Sequence, residues 1–436
     1  MNKSLRIILI SLGIIVFILA VGMGAWTLFG PKTEQGASFP NSVFDFFVGE
    51  DGVLGGLVNS DDSANEDQNG ELSSDTENTA GLKKLRQVYQ YPVSGATIIT
   101  LQRTVPGNTQ VSGQKSKTES ITAVRIMERS SGNIFDIPLD TMTPTRVTNT
   151  TIPKHQEVFW NTSGNTLLAR RVSGTGITVE SMLLRMKKGS ADVTGTPENE
   201  NIGSLETVFS KENILAAASS PDGTRFFSLT ETTLGSKGES FSFVDGTARQ
   251  LTTSPLTEWL IEWPRTDTIY LSTKPSSGIP GNLYALNAEK GGALRKVIGG
   301  IPGMTAHMSG KGDTGLIGSA TGTSIKLSLL SNGSLREEPL ITFPEKCAWD
   351  KKDGVYCGVP DSFPPGTYPD TWYQGVAQLE DTIWYLDTTT DTTKLIASPL
   401  DYEVSSLDVI NPILSSNGAY LVFINKYDMT PWVLEL

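Results

Sequence analysis

The sequence predicts an all-β protein: a seven-bladed β-propeller over residues 83–436, with a six-bladed ring as the alternative. One transmembrane helix and a disordered acidic linker are expected before it. Three observations predict the ring. Five-residue turns recur along the body, each followed by a β-rich run. A hairpin with a tight polar turn follows each of those runs. The chain then ends one strand short, while a spare strand stands at the start of the body.

The first element is apolar. Lys3 and Arg6 precede an uncharged run from Ile7 to Gly30. At 1.5 Å per residue this run spans roughly 36 Å, enough for a hydrocarbon core of ~30 Å. Trp26 and Phe29 stand where an interfacial aromatic belt belongs, and Pro31 ends the helix. Residues 1–30 are therefore expected to be a signal-anchor helix, held in the membrane through residues 7–30. The positive flank is N-terminal, which puts the N-terminus inside and residues 31–436 outside. A cleaved signal peptide is the competing reading, with Ala20, Gly22 and Gly24 as small residues for a cleavage site.

Residues 31–82 are expected to be a flexible juxtamembrane linker. Between Thr33 and Leu82 stand eleven acids and no Lys or Arg, so much of the formal net charge of -12 sits there. Residues 58–81 carry almost no apolar side chains and cannot offset their ordering entropy. Asn65, Asp67, Asn69 and Gly70 resemble half of a calcium loop, but Thr76 stands where that loop needs Glu. Phe39, Phe44, Phe46 and Phe47 form an apolar cluster before the spacer, suited to the membrane interface, to a partner or to packing on the body. The remaining 36 acids and 32 bases nearly balance, which gives no electrostatic case for nucleic acid.

In the body, the recurrent turns are Trp160–Gly164, Ser219–Gly223, Trp263–Asp267, Met308–Gly312, Trp349–Asp353 and Leu414–Gly418. The close spacings between them match the ~40–45 residues of a four-stranded blade, and the two wide ones imply loop insertions. Residues 97–149 supply one more unit, which makes seven. The C-terminal residues 431–436 give the last unit a third strand but no fourth. Leu85–Tyr89 resembles the outer-strand segment 248–252 and is expected to complete that blade, closing the ring without an open edge. The polar segments 104–120 and 187–204 read as flexible loops, with Lys187 and Lys188 solvated.

The run Ser220-Pro221-Asp222-Gly223, with the strand after it and the Arg249–Thr252 strand end, resembles the repeat of TolB-type and WD-repeat-like propellers. Residues 148–153, the Cys347/Cys357 hairpin and residues 371–375 are similar to uncharacterised single-pass membrane-anchored propellers of bacteria. The resemblance implies a fold over residues 83–436 and a place at the bacterial cytoplasmic membrane, and it implies no activity.

Few residues point to chemistry. A turn over Asp350–Gly354 pairs Trp349 with Val355 and Cys347 with Cys357 across two strands, close enough for a disulfide. Two free buried thiols are the alternative. His155 and His307 fall in different blades with no metal-ligand pattern, and no nucleophile elbow is present. No catalytic residue, metal site or cofactor is therefore expected. The insertion 359–375 is the candidate ligand surface, through Phe363, Tyr368, Trp372, Tyr373 and Gln374. Its four prolines stiffen a loop whose aromatics offer contact area at low entropic cost. It would equally serve to plug the channel or cover neighbouring blades.

The expected function is a binding or scaffold module for a protein or an envelope polymer. The alternative is a propeller enzyme, a glycan lyase or hydrolase, working in the central channel. Carboxylates or Tyr, Lys and Arg converging in the channel mouth would favour the enzyme. A channel of Ser, Thr and aliphatic residues would sink it.

Overall fold

A computed structural model describes residues 83–105, 117–173, 176, 178–187 and 202–436. The apolar run 7–30, the phenylalanine cluster and the acidic linker lie outside the described residues. Among the described residues, no helix is long and apolar enough to cross a membrane.

The body is a seven-bladed β-propeller, each blade a four-stranded antiparallel sheet. Blade 1 contains Val93–Val105, Lys117–Glu128, Ile134–Pro138 and Thr145–Arg146. Blade 2 contains His155–Trp160, Thr166–Val172, Val179–Lys187 and Ser204–Glu212. Blade 3 follows with Ile214–Ser219, Arg225–Thr232, Gly235–Ser242 and Ala248–Ser254. Blade 4 takes Trp259–Arg265, Thr268–Thr273, Pro280–Asn287 and Arg295–Pro302, and blade 5 takes Thr305–Met308, Gly315–Thr321, Ser324–Ser331 and Ser334–Glu337. Blade 6 is Cys347–Trp349, Gly354–Pro360, Asp381–Asp387 and Thr392–Ala397. Blade 7 is Val409–Leu414, Tyr420–Asn425 and Thr430–Glu435, completed by Leu85–Gln87 from the other end of the body. The closing pairs are Leu85 with Leu434, Arg86 with Val433 and Gln87 with Trp432.

In blades 3 and 7 the turns between first and second strands form for the same physical reason under different sequences. In blade 3, Asp222 Oδ1 accepts from the Ser220 hydroxyl (2.6 Å) and the Thr224 N–H (3.1 Å), while Ser220 Oγ accepts from the Arg225 N–H (2.9 Å). Asn417 and Ser415 repeat that geometry in blade 7, accepting from Ala419 N–H (3.1 Å) and Tyr420 N–H (2.9 Å). Gly223 closes its turn at φ +69°, and a Cβ there would stand 2.9 Å from Thr162 of the neighbouring blade. Blades are cemented by apolar side chains between sheets, such as Phe209, Phe226 and Phe241 stacked between blades 2 and 3.

Two loop expectations need correction. The strands of the first hairpin of blade 1 run on as far as Val105 and Lys117, so residues 104–105 and 117–120 are ladder rather than loop. Lys187 and Ser204 likewise pair as strand residues, and Lys187 Nζ meets Glu206 at 3.1 Å. Cross-strand hydrogen bonds outweigh the weak β-propensity of these polar segments.

Cys347 and Cys357 are directly opposed and joined by a disulfide, both buried. They close a loop of about ten residues, for which chain entropy gives a stabilisation of about 2–3 kcal/mol. Replacing both with alanine is expected to lower the unfolding free energy by that amount in urea titrations.

Candidate functional site

The insertion in blade 6 builds the lid of the site. It joins the second and third strands of that blade and ends in a short helix, Asp370–Tyr373. It lies on the face carrying the equivalent loops of blades 4 and 5: Asp370 Oδ2 accepts from Ser277 N–H (2.6 Å), and Tyr368 N–H donates to Gly322 O (2.9 Å). Blade 7 fixes it through Asp408, whose carboxylate accepts from Trp372 Nε1 (3.0 Å to each oxygen) and from Leu379 N–H (3.1 Å). Trp372 is sandwiched: Phe343 stacks on it at 5.0 Å, and the Lys346 and Lys426 ammonium groups lie 4.9 and 4.3 Å from its ring centre.

Lys346 holds this corner together. Its ammonium is wholly buried and donates to Asp381 Oδ2 and Asp408 Oδ1, both at 2.6 Å, and to Val409 O at 3.2 Å. Burial disfavours the charge, but the two carboxylates outweigh it and raise the Lys346 pKa. Lys426, which donates to the Trp372 carbonyl, is pulled down to about 8 by burial.

Beneath the plug lies a central cavity of about 200 Å³, walled by the inner strands of blades 2, 3, 4, 5 and 7. Trp372 and Tyr373 form its roof, and Ala216, Ala217 and Ala306 keep its walls short. The polar groups reaching it are Glu157, Arg170, Glu262, Glu345 and Asn411. Glu157, Glu262 and Asn411 sit at breaks in strand register, at His155/Glu157, Glu262/Arg265 and Ile410/Ile413, where bulges re-aim side chains. Asn411 adopts φ +49° at one such break.

These charges are partly satisfied within the fold. Arg170 is fully buried, donates to Glu157 and to Ile214 O (2.5 Å), and so ties blade 2 to blade 3. Glu262 accepts from His307 Nδ1 (2.8 Å) and from Met308 N–H (2.7 Å). Burial opposes a charge on His307, yet Glu262 prevails and holds the imidazole above its ordinary pKa. Glu345 accepts from the Tyr373 hydroxyl through Oε1, while its buried Oε2 has no hydrogen-bond partner. Burial, reinforced by Glu262, pushes the Glu345 carboxyl up to about 7.

The raised Glu345 pKa fixes the sign of a pH effect. Between about 4.5 and about 7 the folded chain keeps a proton that the unfolded chain has released, so stability falls as pH rises through that window. Glu345→Gln is expected to flatten this slope and to melt higher than the parent at about pH 8, as followed by calorimetry across pH.

Of the predicted site residues, Trp372 and Tyr373 line the cavity, while Phe363 and Tyr368 pack edge-to-face against each other beside Phe343. Gln374 is exposed and caps the short helix. Tyr368, Trp372 and Tyr373 are buried, so the insertion is a plug packed on the ring. His155 is buried at the start of blade 2, its Nδ1–H donating to Ile152 O (2.7 Å), and burial lowers its pKa. Among the described residues, no group of three or more His, Cys, Asp and Glu could hold a metal ion. The residues the sequence reading missed are Glu157, Arg170, Glu262, Glu345, Lys346 and Asp408.

No protein-family model matches the chain, and no curated protein matches it. Among solved structures, the chain is similar to an oligogalacturonate lyase from Vibrio parahaemolyticus, with 10% identity, a TM-score of 0.46, and coverage of 79% of this chain and 98% of that one. The β-propeller domain of the Trilobed protease from Pyrococcus furiosus matches with 11% identity and a TM-score of 0.44, over 72% of this chain and 91% of that one. A TolB-type structure from Agrobacterium tumefaciens matches with 16% identity and a TM-score of 0.36, over 52% and 74%. These likenesses concern the propeller fold alone.

Proposed function

We propose that the chain is a membrane-anchored, extracytoplasmic propeller that binds a protein or a cell-envelope polymer through its capped central cavity. The observation that carries this reading is the cavity itself: five blades and one insertion wall a space on which Glu345 and polar groups of blades 2, 4 and 7 converge. The charges there are engaged by fixed partners, Glu157 by Arg170 and Glu262 by His307, which suits a preorganised recognition surface. The disulfide accords with an oxidising compartment, and residues 7–30 are the proposed anchor. Fractionation of cells and affinity capture of the full-length chain after mild detergent extraction test the proposal. The chain is expected in the membrane fraction with a partner that Ala216→Leu, which fills the cavity, releases. Recovery from the soluble fraction, or capture unaffected by the filled cavity, would count against it.

A second reading is favoured by one observation. Carboxylates and a tyrosine do converge in the channel, and Glu345 titrates near neutrality beside Tyr373, as a general acid or base must. That reading is an extracytoplasmic glycan lyase or hydrolase. Incubation with acidic and neutral envelope glycans, read by reducing ends and by ultraviolet absorbance of unsaturated products, decides it. Turnover that Glu345→Gln abolishes is the result expected of an enzyme.

A further inference from the structure

We propose that the central cavity is a pocket for a primary alkylammonium group, which Glu345 and Glu262 would hold by its charge while the alanine-lined wall takes its carbon chain. The inference rests on the reading of the cavity as the binding site and names what the site grips.

Three features of the wall lead to this ligand. The first is charge. Glu157 is neutralised by Arg170, and Glu262 shares its carboxylate with His307 and the Met308 N–H, whereas the Glu345 carboxyl takes a tyrosine hydroxyl and feels the charges of His307 and Lys346 only at longer range. Lys346, its neighbour in sequence, is turned to Asp381 and Asp408 and does not pair with it. The second is an orphaned acceptor. Glu345 Oε2 is buried without a hydrogen-bond partner, a costly state that an ammonium donor would relieve once the Glu345 side chain turns that oxygen toward the cavity. The third is shape. Ala216, Ala217, Leu260, Ile261, Ala306 and Ile410 give the remaining wall an apolar surface. The cavity of about 200 Å³ leaves room for a short alkyl chain beside these side chains. An anion would face the unpaired carboxylate, and a sugar ring would find both faces of Trp372 already occupied by Phe343 and the two lysines.

Calorimetric titration of the full-length chain in mild detergent at about pH 8, where Glu345 is ionised, with n-pentylammonium, 1-pentanol and acetyl-lysine methylamide tests the pocket. Pentylammonium is expected to bind, and pentanol to bind at least about 10-fold more weakly, since only the charge differs. Glu345→Gln is expected to weaken pentylammonium by about 10-fold or more, and Ala216→Leu, which fills the space from another blade, to abolish it. Melting temperatures no lower than the parent's for either variant establish that the loss is local. Acetyl-lysine methylamide binding as well as pentylammonium supports a protein lysine as the source, and its rejection supports a free or polymer-borne amine. Absence of pentylammonium binding, or equal binding of pentanol, overturns the inference. A partner still captured from membranes alongside such a result would leave the binding module standing and remove only the ammonium pocket.

Discussion

Replacing Lys346 with methionine is expected to destabilise the propeller by about 3–5 kcal/mol, seen as a shift of the denaturant midpoint with an unchanged slope. Methionine keeps much of the volume of the side chain, so the loss comes from electrostatics rather than from a cavity. Asp381 and Asp408 have fully buried side chains, and each meets the ammonium at 2.6 Å. Without it, two carboxylates face each other in a low-dielectric corner with backbone N–H groups and one indole for company. The pH dependence of this lysine does not help the experimenter. A raised pKa means that the lysine keeps its proton until pH rises well above 10.5, while on the acid side Asp381, pushed by burial up to about 6, takes up a proton and weakens the pair. The variant series is therefore the informative measurement. Lys346→Met combined with Asp381→Asn and Asp408→Asn removes the unpaired charges and is expected to recover part of the loss. The roof supplies a second readout, because Trp372 touches Lys346 and bonds Asp408. Its fluorescence should shift toward that of a solvent-exposed indole in Lys346→Met. A loss below about 1 kcal/mol with unshifted emission would show that the plug is held by its apolar contacts instead.

The contrast between Lys346 and the blade turns shows what a sequence can reveal here. A turn such as Ser220–Gly223 is made by residues within five positions of one another, so its geometry is written locally. The closing strand was legible for a related reason: Leu85 and Arg86 repeat an outer-strand pattern, and the body ends one strand short. The disulfide follows from register across one hairpin. Glu345 and Lys346, by contrast, stand side by side after Pro344 with no local pattern that marks a site. One points into the channel and the other into a buried pair with residues 35 and 62 positions away. Only ring geometry brings them to those neighbours. Glu157, Glu262 and Asn411 are similar cases, single polar residues on inner strands whose convergence needs the blades in place. The insertion was recognisable from its aromatics and prolines. Whether it caps or grips depends on Asp408, 36 residues beyond Trp372, and no local pattern announces that bond.

Deleting Leu85–Gln87 from the full-length chain is expected to cost on the order of 5 kcal/mol and to make the protein associate as its concentration rises. The strand is short, but it completes the hydrogen bonding of Thr430–Glu435 and buries Leu85 to 1% exposure among Leu421, Phe423 and Leu434. Losing a leucine side chain from such a site costs about 2–5 kcal/mol by itself. The deletion also removes Arg86, whose guanidinium donates to Leu139 O (3.0 Å) and Lys83 O (2.8 Å) and so bridges blade 7 to blade 1. What remains is an uncovered strand edge at the seam of the ring, a template for pairing with another chain. Leu85→Ala separates the two effects: it should lower the melting temperature while the chain stays monomeric in light scattering, because the edge is still covered. Equal melting and equal mass for parent and deletion would mean that the other contacts between blades 7 and 1 close the ring unaided.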